Sequence, residues 1–135
     1  MKNAKQVVQF LHVMLRVSDL EQSLAFYTGL FGLEILRQID YPDGQFTLAF
    51  LGFEKESIST VIELTYNWNE SKYDKGNAFG HLAFAVTDIH QFCHSLKQMD
   101  VKITREPGPM KFDDREIIAF IEDPDGYNIE LIEAT

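Results

Sequence analysis

The sequence predicts an α+β fold of two βαβββ modules, each a curved mixed sheet with one helix. Three internal matches carry that expectation. Val17-Ser18-Asp19-Leu20 returns as Val86-Thr87-Asp88-Ile89, 86 − 17 = 69 residues later. His12 returns as His81 at the same offset, 81 − 12 = 69. Ile62-Glu63-Leu64 returns as Ile129-Glu130-Leu131 at nearly that spacing, 130 − 63 = 67. A tetrapeptide that recurs once is weak; three matches at almost one offset mark a duplicated unit.

The elements of the first copy follow in order. Residues 11–17 alternate, with His12, Met14 and Arg16 on one face and Leu11, Val13, Leu15 and Val17 on the other, as a strand requires. Ser18 stands three residues before Glu21, a capping-box spacing that opens a helix. Leu20, Leu24, Tyr27 and Phe31 recur at helical intervals, and glycines at 29 and 32 end the element. Strands are expected at 34–39, 46–52 and 60–66, the first two joined by the turn Tyr41-Pro42-Asp43-Gly44.

The second copy repeats the order. A strand over 80–86 leads, through Thr87 or Asp88 as cap, into a helix over 89–99 that buries Ile89, Phe92, Cys93 and Leu96. Strands at 101–105, 116–121 and 127–133 follow, the last two separated by the tight turn Asp123-Pro124-Asp125-Gly126. The polar stretch 67–77 reads as the linker, which leaves a single domain, 1–135, made of repeats at about 9–66 and 79–133. One four-stranded sheet with one helix leaves a face uncovered. Pairing two copies, within a chain or between chains, covers it and encloses a cleft for a small ligand.

Bulk properties narrow the function. At 135 residues the chain suffices for one domain with a real core. A net charge of −9 argues against a nucleic-acid binder, since phosphate contacts need a basic surface. No apolar run approaches the roughly 18–20 residues of a membrane-crossing helix, and the start Met1-Lys2-Asn3-Ala4-Lys5 lacks the apolar stretch of a signal peptide. Cys93 is the sole cysteine, so no intramolecular disulfide forms. A cytoplasmic protein is expected.

His12, Glu63, His81 and Glu130 are the residues to which the duplication points. In a βαβββ order the first and last strands can lie side by side, bringing an imidazole and a carboxylate together in each copy. Two nitrogen and two oxygen ligands suit a borderline divalent ion, with water in the remaining positions. Zn²⁺ accepts such a set; the six-coordinate preference of Ni²⁺ or Co²⁺ fits as well. A lone histidine in a strand, or a glutamate between Ile and Leu, is ordinarily structural, and only the repetition lifts these four above that background. His90 and His94, four apart on the second helix, are a rival pair. They lack the glutamate of a zinc-protease motif, and the first helix offers only Glu21 and Ala25 in their place.

At these residues the chain resembles the vicinal oxygen chelate superfamily, and within it glyoxalase I, whose fold is shared with dihydroxybiphenyl dioxygenase. The resemblance rests on Leu11-His12-Val13-Met14-Leu15-Arg16-Val17, Val61-Ile62-Glu63-Leu64-Thr65-Tyr66-Asn67-Trp68, Gly80-His81, and the segment from Ala119 through Asp123-Pro124-Asp125-Gly126 to Leu131. It implies isomerisation of the methylglyoxal–glutathione hemithioacetal to S-D-lactoylglutathione through a metal-stabilised ene-diolate, with glutathione as co-substrate. It implies His12, Glu63, His81 and Glu130 as ligands of one divalent metal per site, Ni²⁺ or Co²⁺ ahead of Zn²⁺. Glu130 would be the base, with Glu63 serving the other face. Arg16, Asn67 and Lys111 fall where the family binds glutathione, and Arg16 and Asn67 share strand faces with His12 and Glu63. The family's sites form between subunits, which implies a homodimer. Where relatives often have a Gly-rich loop after the lysine, this chain has Phe112-Asp113-Asp114-Arg115-Glu116, and Asn77 stands where some carry a basic residue.

Two other readings fit these residues. One is a different metalloenzyme of the superfamily, an epimerase, a thiol transferase or an extradiol dioxygenase. The last holds iron with two histidines and one carboxylate, which leaves Glu63 surplus. The other is a non-catalytic small-molecule-binding module, against which the four retained ligand-type residues argue.

Overall fold

The computed structural model describes residues 5–135; the reading of the N-terminus as free of a signal peptide falls partly on residues 1–4, outside the described residues. The chain divides into two compact units, the first ending at Lys72 and the second spanning Tyr73–Thr135.

The first unit runs β1 (His12–Arg16), α1 (Leu20–Leu24), a wider π-helical stretch (Ala25–Leu30), β2 (Glu34–Tyr41), β3 (Phe46–Gly52) and β4 (Val61–Asn67). Its sheet has the order β1-β4-β3-β2, with β1 parallel to β4 and the remaining pairs antiparallel. The second unit repeats this with β5 (Leu82–Val86), α2 (Ile89–Gln98), β6 (Ile103–Met110), β7 (Asp113–Glu122) and β8 (Asn128–Glu133), in the order β5-β8-β7-β6. Again the first and last strands pair in parallel. Two βαβββ modules with mixed four-stranded sheets are thus the architecture.

Each sheet buries one face under its helix. Leu15, Val17, Ala49, Leu51 and Leu64 are buried with Phe26 and Tyr27 in the first unit. Ile89, Cys93 and Leu96 of α2 are buried with Ala119, Ile121, Ile129 and Leu131 in the second. Burial of such side chains stabilises by about 1.5–3 kcal/mol each before chain entropy is counted. Because strand residues alternate, burying Leu64 and Leu131 turns Glu63 and Glu130 to the opposite faces. Among the described residues, no helix is long and apolar enough to cross a membrane.

The structure moves several expected boundaries. Asp19, not Ser18, caps the first helix, its carboxylate accepting from the Gln22 amide at 3.0 Å. Asp88 does the same for α2 through Gln91 at 3.1 Å. The first helix loses α geometry after Leu24, where the Thr28 hydroxyl donates to the Leu24 carbonyl at 2.7 Å and competes for the helical acceptor. Strands β6 and β7 are longer than expected, so the segment Phe112-Asp113-Asp114-Arg115-Glu116 is no loop: β7 starts at Asp113. Arg115 folds back on Asp113 at 2.8 and 3.1 Å and offsets its charge, holding that carboxyl below the usual range.

Candidate metal centre

In the first unit the parallel register sets Met14 opposite Glu63 and Arg16 opposite Thr65. His12, at the head of β1, reaches Glu63 with Nε2 3.1 Å from Oε1. The second unit repeats the contact: His81, just ahead of β5, has Nε2 3.2 Å from Oε1 of Glu130. Both carboxylates are largely shielded, at 14% and 16% side-chain exposure, while the imidazoles are more open at 34% and 40%. The four residues singled out by the duplication therefore occur as two matched His–Glu pairs. Among the described residues no group of three or more His, Cys, Asp or Glu side chains gathers to hold a metal.

Each pair has the donor spacing of two neighbouring ligands on one cation. Ligands about 2.1 Å from an ion and at right angles to one another lie about 3.0 Å apart; at a tetrahedral angle the separation is about 3.4 Å. The observed 3.1 and 3.2 Å fit two adjacent positions on an ion. An imidazole nitrogen and a carboxylate oxygen are also the right chemistry for a borderline divalent metal.

The surroundings are duplicated too. Phe50 lies opposite Glu63 across β3 and β4, and its ring meets the His12 ring edge-on at 5.6 Å between centroids. Phe120 lies opposite Glu130, and its ring meets His81 in the same way at 5.3 Å. These rings were not singled out from the sequence, although their offset, 120 − 50 = 70, matches the other repeats closely enough to have found them. One difference between the two pairs is a hydroxyl. Thr65 Oγ1 lies 3.4 Å from Glu63 Oε2 and is positioned to donate to it, whereas Ile132 occupies the corresponding place two residues after Glu130.

The remaining site candidates are placed less closely. Arg16 ends β1 and Asn67 ends β4, so register and alternation set both on the face that carries Glu63. Lys111 sits in the turn between β6 and β7, its ammonium 5.2 Å from the Phe112 ring centroid. His90 and His94 ride the exposed side of α2, where His94 Nε2 is 3.3 Å from Gln98 Nε2, while Cys93 packs inward.

The family described as "Glyoxalase/Bleomycin resistance protein/Dioxygenase superfamily" matches residues 9–131. A probable lactoylglutathione lyase of Synechocystis is 54% identical over 93% of this chain and 95% of its own length. The lactoylglutathione lyase of Neisseria meningitidis serogroup A is 51% identical over 93% of this chain and 91% of its own. Among solved structures, maize glyoxalase I superposes with a TM-score of 0.88 at 46% identity, covering 94% of this chain, which spans only 45% of the maize chain. The trypanothione-dependent glyoxalase I of Leishmania major gives 0.84 at 41% identity, covering 94% of this chain and 87% of its own.

Proposed function

The chain belongs to the glyoxalase/bleomycin resistance protein/dioxygenase superfamily, and from its lactoylglutathione lyase relatives we infer that it detoxifies methylglyoxal as a glyoxalase I. The substrate is the hemithioacetal of methylglyoxal and glutathione, the product S-D-lactoylglutathione. Enzymes of this family are typically metal-dependent. The observation that carries the site assignment is the repeated His–Glu contact, at 3.1 and 3.2 Å, against a repeated phenylalanine.

His12 and Glu63 of one chain, with His81 and Glu130 of a second, would hold one divalent ion in a homodimer. When bound, the ion supplies Lewis-acid polarisation of the substrate oxygens. Ni²⁺ or Co²⁺ is favoured over Zn²⁺ on the family resemblance of this short chain; the spacings of 3.1 and 3.2 Å suit either geometry. The protein's own part is proton transfer. A carboxylate takes the proton from the sulfur-bearing carbon and returns it to the adjacent former carbonyl carbon, so hydrogen moves between neighbours and no outside oxidant is required. Glu130 is assigned this role and Glu63 the opposite face.

Arg16 supplies a fork for a glutathione carboxylate, Asn67 a donor and an acceptor, and Lys111 a cation for the glycine end. The protein works in the cytoplasm. The test is reconstitution of metal-free protein with Ni²⁺, Co²⁺ and Zn²⁺ in turn, followed by a spectrophotometric assay of lactoylglutathione formation. Glu130→Gln preserves shape and removes the base, and turnover is expected to fall at least about 100-fold. Full activity without metal, or in Glu130→Gln, would overturn this assignment.

A further inference from the structure

The two half-sites differ in how their rings are braced. Both outer strands carry a β-bulge at the same place: Ile35 pairs with Leu51 but Arg37 with Phe50, and Ile103 pairs with Ile121 but Arg105 with Phe120. An extra residue before each arginine turns it onto the face of the phenylalanine and glutamate, the re-aiming for which bulges are used. The offset, 105 − 37 = 68, marks the two arginines as counterparts. Their employment then diverges. Arg37 lays its guanidinium on the Phe50 ring, 3.6 Å from the centroid, and is held there by a two-pronged bond to Glu56 at 2.7 and 3.0 Å. Arg105 instead donates to the carbonyls of Gly108, Ile118 and Pro109 at 2.9, 2.8 and 2.6 Å and pins the β6–β7 hairpin.

We propose that Arg37, clamped by Glu56 over Phe50, is a positioning residue that fixes the His12 ring, making the first half-site the rigid anchor for the metal and the second the adaptable one. The inference rests on the metal-site reading above. Phe50 carries the Arg37 guanidinium on its ring and packs roughly perpendicular to the His12 ring, 5.6 Å between centroids. Glu56 is itself anchored, its carbonyl accepting from Gln9 Nε2 at 2.7 Å, and Thr60 Oγ1 donates to the Phe10 carbonyl at 2.7 Å, tying the approach to β1 to the same connection. A lysine cannot replace the arginine here, because only the planar fork stacks on a ring while gripping a carboxylate. An ordered imidazole loses less freedom when it coordinates, so affinity rises with pre-organisation.

The test uses the purified full chain. Co²⁺ affinity is measured by competition with a chromophoric chelator, and imidazole ¹⁵N signals of the metal-free protein are recorded for His12 and His81. Arg37→Ala and Glu56→Gln are expected to weaken Co²⁺ binding about tenfold or more, the usual scale for residues that support a metal ligand. They should shift or broaden the His12 signals and leave those of His81 in place. Arg37→Lys should behave like Arg37→Ala. Wild-type affinity and unmoved His12 signals in Arg37→Ala overturn the proposal, as does full rescue by lysine, which would leave only a charge effect. Equal disturbance of His12 and His81 also overturns it, because it denotes general loosening. Failure of the wild type to bind Co²⁺ would remove the metal site itself, a separate result.

Discussion

If each metal site takes one His–Glu pair from each of two chains, two inactive variants should rescue one another. Variant one carries His12→Ala and Glu63→Gln; variant two carries His81→Ala and Glu130→Gln. Alone, each homodimer has two sites with half of the ligands missing, and a divalent ion with two protein ligands is poorly held. In the heterodimer the intact first pair of one chain meets the intact second pair of the other, while the complementary site loses all four ligands. Random reassociation of equal amounts leaves about half of the dimers mixed, each with one working site of two, so activity should reach about a quarter of wild type. Dimers purified through a different tag on each chain should reach about half, with one tightly bound ion per dimer. The assay is lactoylglutathione formation, with native mass spectrometry to count chains and metal. Confirmed heterodimers with no activity above the parents would refute shared sites. The substitutions fall on the open side of each sheet, away from the helix-covered core, so both parents are expected to fold.

Arg16→Ala should raise KM for the hemithioacetal with a smaller effect on kcat, as loss of a carboxylate contact requires; an unchanged KM would remove Arg16 from the binding site. Leu64→Ala should destabilise by about 3 kcal/mol in urea unfolding, since Leu64 is fully buried at the centre of β4; a cost under about 1 kcal/mol would mean that β4 tolerates a void. Burial pushes the Cys93 thiol above its ordinary pKa. In the native protein it should therefore react with a disulfide reagent far more slowly than in urea. The sign of its pH effect follows: stability is present below the ordinary thiol pKa and declines as rising pH ionises the unfolded chain first. Equal rates in native and unfolded protein would contradict the packing.

Much of this protein was legible in one dimension because it is duplicated. A repeated His12 and His81, with a repeated Glu63 and Glu130, is independent of any contact and announces equivalent places in equivalent folds. Alternation along β1 and β4 was enough to put Arg16 and Asn67 on the face that carries Glu63, because a strand has a period of two wherever it lies. The helix cap moved from Ser18 to Asp19 and the acidic stretch at 112–116 became a hairpin end, since the choice between neighbouring caps or a turn depends on how the chain enters and leaves the sheet. The bracing was beyond the sequence for a stronger reason. Arg37 and Arg105 hold matching positions after matching bulges, yet one grips a glutamate 19 residues away and the other grips carbonyls of its own hairpin. Repetition along the chain thus singled out the four candidate ligands and the elements that carry them. Which arginine stacks over a phenylalanine, and which ties a hairpin instead, was decided only by tertiary structure, because a long flexible side chain takes the partner that folding brings within reach.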